Sequence, residues 1–295
     1  MERVIKFIPN LFTLGNLTMG FTAIIFVANE QMVSAVLCIG VALILDFLDG
    51  FVARMLKADS KLGLQLDSLA DLVTFGIAPG MVVFQMIIIT KGYYFVPIQE
   101  WPLSVWLMAS VSSVLPMGAA YRLAVFNLSD KQVPHFQGMP VPAMSLFILS
   151  IPLVLETNYN LNFYHPLSDQ FIDILAQERK WDASDAVVLR IMFSPLFYQI
   201  TAVCLSFLMV SKIPMISLKF KGFSWAKNKW KYSLLIWVLI CYLIFLVPYL
   251  SLPFSWGLID YLILPIFMIG YFILSVIYSI FAASNESTIS DEIQS

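Results

Sequence analysis

Four aspartates, Asp46, Asp49, Asp67 and Asp71, stand in a stretch flanked by apolar runs from Leu37 to Leu45 and from Leu72 to Ile89. A carboxylate at the centre of a bilayer costs roughly 2.5–3.5 kcal/mol on insertion scales. Four of them facing lipid would be untenable, so they must point inward and meet positive charge. Residues three or four apart on a helix share a face. Asp46, Asp49, Gly50 and Ala53 therefore line one side of a helix, and Asp67 and Asp71 one side of the next. A reversal around Ala58–Gly63 sets the two pairs face to face at one depth. Arg54 is the cation placed to neutralise them directly, since Lys57 and Lys61 should reach the interface.

Roughly three negative charges then remain, to be resolved by protonation or by metal. Clustered hard oxygen ligands with no His or Cys near them suit Mg²⁺ or Mn²⁺ rather than zinc. Two divalent ions would cancel four carboxylates and leave coordination positions open for phosphate oxygens. Gly50, Ala53 and Gly63 then let a ligand approach the backbone. Close helix packing would explain the small residues but not the acids. Paired intramembrane acids also mark cation pathways, so a divalent-cation transporter is a rival reading. It predicts acids spread towards both faces, whereas these four sit at one end of their helices.

The elements that must carry these residues follow from composition. The chain has 295 residues, 60% hydrophobic and 12% charged, where soluble domains carry about 25% charged residues. This predicts an all-α polytopic membrane protein. Arg3, Lys6 and their apolar neighbours suggest a short N-terminal interfacial segment before Pro9. No cleavable leader is expected, so the first apolar run is retained as a span. About eight spans are expected, at 11–28, 32–56, 65–90, 103–127, 139–156, 189–211, 232–250 and 258–282, each near the ~20 residues that cross a bilayer. This places thirteen of the seventeen Lys and Arg residues on the N-terminal side; Lys91, Arg179, Lys180 and Arg190 fall on the other. Positive charge stays inside, so both termini and the aspartates are expected to face the cytoplasm, in the cell membrane.

The organisation expected is a single transmembrane catalytic domain over 1–283, with a core at roughly 1–215, additional helices at 232–282 and a disordered cytoplasmic tail at 284–295. Cys38, Cys204 and Cys241 lie singly in apolar runs, without metal spacing or a disulfide framework. His135 and His165 read as loop residues, and 157–188 as a solvated outer loop. The Lys219–Lys231 cluster reads as topology signal and anionic headgroup contact, so no nucleic-acid partner is expected.

The pattern Asp46-x2-Asp49-Gly50-x2-Ala53-Arg54-x8-Gly63-x3-Asp67-x3-Asp71 places eight fixed positions within 26 residues. It resembles, without a gap, the motif of the CDP-alcohol phosphatidyltransferases, which move a phosphatidyl group from a CDP-linked lipid to an alcohol and release CMP. The flanking sequence is similar to the phosphatidylserine synthase branch of that family: Pro9-Asn10 through Thr13 to Asn16, Asp67 through to Pro79, Arg122 through to Asn127, Gly138-Met-Pro-Val-Pro142 and Lys212 through to Lys219. Two departures stand out: Val125 replaces a frequent second Arg, and Gly80 a usual Ala.

The resemblance implies CDP-diacylglycerol and L-serine as substrates, membrane lipids as surroundings, and a homodimer. It implies that Asp46, Asp49 and Asp67 hold two divalent ions, Mg²⁺ or Mn²⁺, with Asp71 at the edge of the second ion and acting as catalytic base. Arg54 would contact a phosphate oxygen, while Gly50, Ser60 and Gly63 border the cytidine. Arg122 would hold the serine carboxylate or a phosphate, or else snorkel to the interface. Asn10, Thr13 and Asn16 share a face of the first helix, to complete the pocket or to bond between helices. Glycerol phosphate, inositol phosphate or choline are alternative acceptors, though a phosphorylated one would want more basic residues near the site.

Overall fold

The computed structural model describes residues 2–58, 60–128, 136–159, 183–216, 225–246 and 265–280. Residues 160–182 of the expected outer loop lie outside these ranges, as do the tail, His135, His165 and residues 219–224 of the Lys219–Lys231 cluster. The chain divides into two compact units, Met1–Asp130 with Val141–Val210, and Lys131–Pro140 with Ser211–Ser295.

The larger unit opens with α1 (Glu2–Ala28) and α2 (Met32–Leu56), an antiparallel pair joined by a tight turn. In that turn Glu30 takes a left-handed φ of 59°, and the Gln31 amide returns to the Phe26 carbonyl at 2.9 Å. The separate interfacial segment expected before Pro9 is not present as such, because α1 runs unbroken through Pro9. Pro9 is the eighth residue of α1 and lacks the amide that would reach the Ile5 carbonyl, so one backbone bond of the helix is missing there. Lys57 ends α2 with φ 51°, and the Ala58 amide reaches back to the Ala53 carbonyl at 2.9 Å. This left-handed cap, usually built on Gly, turns the chain towards its next helix.

The third span is one apolar helical run, Lys61–Thr90, but not a uniform α-helix. It comprises α3 (Lys61–Asp71), a π-helical stretch Leu72–Ile77, and α4 (Ala78–Thr90). Pro79 explains the widening, since it cannot donate to the Phe75 carbonyl and its ring would crowd that oxygen. The preceding turn therefore opens to five-residue spacing, with the Ala78 amide on the Val73 carbonyl. This run is the hub of the unit. Two thirds of its most apolar window is buried, against a third or less for the other three long apolar helices. Those helices instead expose Leu11, Phe21, Leu37, Ile44 and Phe47, which is the surface a lipid environment selects.

The fourth run, Leu103–Leu128, consists of α5 (Leu103–Ser110), a 3₁₀ turn Val111–Ser113 and α6 (Val114–Leu128). Pro116 again removes a backbone donor where the helix changes type. Its ring lies against Gly80, where a Cβ would come within 3.1 Å of Pro116 Cδ. The Gly that departs from the usual Ala therefore sits at a helix contact with no spare room. After α7 (Val141–Tyr159), the expected single span 189–211 proves to be two helices, α8 (Ala183–Met192) and α9 (Pro195–Val210). Pro195 favours a new helix start over continuation. Against α6, Ser206 of α9 donates to the Val114 carbonyl at 2.8 Å and faces Gly118.

The smaller unit contains a two-stranded antiparallel pair, β1 (Phe136–Gln137) and β2 (Pro214–Met215), and two helices, α10 (Trp225–Leu246) and α11 (Pro265–Ile280). The strand pair joins two segments singled out in the sequence, those beginning at Gly138 and Lys212, and Gly138 bonds back to Ile213 at 2.9 Å. Among the described residues it is the one strand pair. Trp237 Nε1 of α10 donates to the Phe267 carbonyl of α11 at 3.2 Å, and its indole packs on Gly270. Four described helical runs are long and apolar enough to cross a membrane, and shorter apolar helices accompany them. The molecule is an all-α membrane protein apart from the strand pair.

Candidate active site

The hairpin of α2 and α3 brings three of the four aspartates together. Asp46, Asp49 and Asp67 each present a carboxylate oxygen, and these atoms lie within 4.8 Å of one another. Asp49 is buried at 7% exposure, and one oxygen of Asp67 is buried without a hydrogen-bond partner among the described residues. Asp71, one turn beyond Asp67, is also buried but stands outside that trio. The fourth acid is therefore close to the cluster without being a member of it.

Helix α1 supplies the polar groups that hold these acids in place. Thr13 Oγ1 donates to Asp49 Oδ2 at 2.6 Å, and Asn16 Nδ2 donates to Asp71 Oδ1 at 3.2 Å. Their spacing of three puts both on one face of α1. Asn16 is fully buried, and its own side-chain oxygen has no partner among the described residues. Thr74 ties the two helices together by donating to the Asn16 carbonyl at 3.2 Å, with Gly20 packed against its hydroxyl. Of the two roles left open for Thr13 and Asn16, the interhelical hydrogen bond is the one observed, and in both cases its acceptor is one of the four acids.

At the rim, Ser60 is the N-cap of α3, its Oγ accepting the Gly63 amide at 2.9 Å. A Cβ at Gly63 would come within 3.1 Å of Ser60 Oγ and 3.2 Å of Asn10 Oδ1, so Asn10, Ser60 and Gly63 converge on one spot. The Arg54 guanidinium lies over Gly50, where a Cβ would sit 3.4 Å from one of its nitrogens, and its charge acts on Asp49. Arg54 is otherwise exposed, and Arg122 is half-buried on α6. Val125 is exposed on α6.

Three features were given no role of their own in the sequence reading, although they lie in stretches quoted there. Asn127 of α6 bonds to Ser68 at 2.9 Å and to Gln65 at 3.4 Å, which fastens α3 beside the site. Its signals were the resemblance of the stretch it ends and polarity at i and i+3 on α3. Thr74 could not be singled out, because its partner is a backbone carbonyl on another helix. The π-helical stretch directly after Asp71 was announced only by Pro79. Such bulges often accompany functional sites, since one wide turn re-aims the side chains before it.

The donor set fits a hard divalent ion. Three converging carboxylates, one with an orphaned buried oxygen, are the arrangement in which a cation offsets a burial cost that the protein's own groups leave uncovered. An oxygen-only acidic cluster near one end of a helical membrane bundle suits integral-membrane enzymes that act on phosphate esters through divalent ions.

The chain belongs to the CDP-alcohol phosphatidyltransferase family, whose model matches residues 6–177, more than half its length. It is 39% identical over 147 residues to a CDP-diacylglycerol–serine O-phosphatidyltransferase of Bacillus subtilis, covering 49% of this chain and 76% of that protein. The similarity to the Helicobacter pylori protein of the same name is 35% over 154 residues, covering 52% and 59% respectively. For the Mycobacterium leprae protein, also of that name, it is 33% over 167 residues, covering 54% and 51%. The match thus spans most of the Bacillus protein but only half to three fifths of the other two.

Proposed function

We propose that the protein transfers the phosphatidyl group of CDP-diacylglycerol to the hydroxyl of L-serine, giving phosphatidylserine and CMP. The observation that carries this reading is the convergence of Asp46, Asp49 and Asp67 beside a fourth acid, Asp71, that is oriented separately by Asn16. The relatives named as serine O-phosphatidyltransferases point to the acceptor.

Asp46, Asp49 and Asp67, with Asp71 beside them, would hold the divalent ions, Mg²⁺ or Mn²⁺ and two in number. When bound, such ions neutralise diphosphate oxygens and stabilise the departing phosphate. Arg54, anchored over Gly50, adds a positive charge at the cytoplasmic rim. Asn10, Ser60 and Gly63 form a small-residue corner that admits the cytidine. The serine hydroxyl oxygen bonds to the phosphorus that bears diacylglycerol, and the bond from that phosphorus to the CMP oxygen breaks. Asp71 takes the hydroxyl proton, and Asn16 holds the carboxylate that receives it. Arg122 meets the serine carboxylate or a phosphate oxygen.

The eight-span arrangement, with both termini and the site facing the cytoplasm of the cell membrane, is supported by the distribution of Lys and Arg. One catalytic domain over 1–283, with its core within about 1–215, agrees with the placement of all these residues before Asp130. Homodimerisation rests on family resemblance and is read out by light scattering in detergent.

The deciding assay supplies purified protein with CDP-diacylglycerol, Mg²⁺ or Mn²⁺, and serine, glycerol phosphate, inositol phosphate or choline in parallel. Serine-dependent CMP release is the expected result. Release with a different alcohol moves the protein to another branch, and none with any of them overturns the reading.

A further inference from the structure

The larger unit holds an open cavity of about 510 Å³ whose lining includes Gln85, Tyr94, Phe95, Trp101 and the end of α1 at Ala28. Along α1, Ala28 lies fifteen residues beyond Thr13, about 22 Å at 1.5 Å per residue. The cavity is therefore distinct from the acidic site and lies towards the opposite end of the bundle. Three rings, Tyr94, Phe95 and Trp101, share its wall with the aliphatic side chains of Ala28, Ile88, Val96 and Ile98. The Tyr94 and Phe95 rings meet edge to face at 4.9 Å, and the Trp101 ring stacks obliquely on Trp106 at 5.2 Å. Trp101 Nε1 is already engaged by the Val96 carbonyl at 2.8 Å, so an occupant meets the ring and not the N–H. Gln85, buried on α4, is the polar group in the wall.

The second observation is Glu30, in the turn between α1 and α2. It is 7% exposed, and neither carboxylate oxygen has a hydrogen-bond partner of ordinary geometry among the described residues. Tyr94, which lines the cavity, is the side chain that approaches this carboxylate. Lys91 and Glu100, the other charged residues of this loop region, are exposed. A buried carboxylate without a counter-charge is a costly group to retain, and aromatic faces attract cations. Glu30 is not itself in the wall, but it stands two residues beyond Ala28 and against Tyr94, which both are; a carboxylate beside three rings, one carboxamide and aliphatic side chains suits a soft organic cation. A hard metal ion would want several oxygens.

We propose that this cavity binds an organic ammonium group, with Glu30 as counter-charge and the rings of Tyr94, Phe95 and Trp101 in its wall. The ammonium is carried either by a lipid headgroup or by a free amine. The inference does not depend on the phosphatidyl-transfer reading.

The test uses the full chain in phosphatidylglycerol nanodiscs and follows tryptophan fluorescence. One arm titrates tetramethylammonium and ethanolamine as free amines, and the other raises the phosphatidylethanolamine content of the disc. A saturable change in either arm, weakened at least about tenfold in Glu30→Gln and lost in Trp101→Phe, supports the site and identifies the source. Absence of a saturable change in both arms, or an unaltered response in Glu30→Gln, overturns it. CMP release by Glu30→Gln at the wild-type rate shows that the variant is folded. If Glu30→Gln does not fold, Tyr94→Leu replaces it, with the same tenfold criterion for or against.

Discussion

Thr13 and Asp49, thirty-six residues apart, meet at 2.6 Å across the interface of α1 and α2. A hydroxyl aimed at a buried carboxylate fixes which oxygen remains for another ligand, and so links the first helix of the chain to the acidic cluster. Partners of this kind typically change metal affinity 10- to 100-fold when removed. Thr13→Val should raise the Mg²⁺ or Mn²⁺ concentration for half-maximal CMP release by a factor in that range, with Thr13→Ser close to wild type. A metal titration of the three proteins decides it, and an unchanged half-saturation for Thr13→Val would remove the residue from the site.

Asp71 and Asp46 should separate in kinetics. Asp71 is held by Asn16 outside the trio, so Asp71→Asn should retain binding of CDP-diacylglycerol and lose turnover by about 10²–10⁴, the range for a general base. Asp46→Ala should weaken metal dependence itself. Single-turnover CMP release and equilibrium binding of the CDP-lipid measure the two effects. Substantial residual turnover in Asp71→Asn would end its role as base.

Removal of divalent ions with a chelator should abolish CMP release, and readdition of Mg²⁺ or Mn²⁺ should restore it. Chelation should also lower the thermal stability of the wild type. The drop should be smaller in Asp46→Ala, which lacks one of the three converging carboxylates. Ligands that bind the folded state stabilise it in proportion to RT ln(1 + [L]/Kd), so thermal unfolding with and without chelator provides the check.

Gly20 faces Thr74 where α1 crosses the π-helical stretch, and a Cβ there would lie 2.8 Å from the Thr74 Cα. Because the obstacle is backbone, Gly20→Ala must push the helices apart, at a cost of about 1–3 kcal/mol for overpacking. The Asn16–Asp71 bond lies one turn away, so turnover should fall with stability. Gly40 has open space around its Cβ position, and Gly40→Ala is the matched control. Equal melting temperatures for the two variants would refute the packing argument.

Glu30 predicts a pH dependence. Burial holds its carboxyl above the ordinary 4.5, and Tyr94 pulls less strongly in the other direction. The folded state therefore binds this proton more tightly than the unfolded chain does. Its stabilising effect is complete below about pH 4.5 and is lost as the pH rises through the folded-state value. Glu30→Gln, a mimic of the protonated form, should match the wild type at acid pH and exceed it in melting temperature as the pH is raised. Thermal unfolding in a non-ionic detergent and amine-free buffer tests this, and a constant gap across the pH range would count against it.

The sequence by itself determined the membrane setting and the acidic site. Both are properties of composition and short-range spacing, since acids three and four apart on adjacent helices must face one another if they cannot face lipid. The reversal at Ala58–Gly63 was legible for the same reason. Only the tertiary structure decided that Asp71 leaves the trio and is held by Asn16, that Asn127 fastens α3, and that β1 pairs with β2. Each of these joins residues at least 55 positions apart, and no local periodicity encodes a partner at that distance. The breaks at Pro79, Pro116 and Pro195 lie between the two cases. A proline announces that a backbone bond will be missing, but whether the helix widens, tightens or stops depends on the neighbour packed against it.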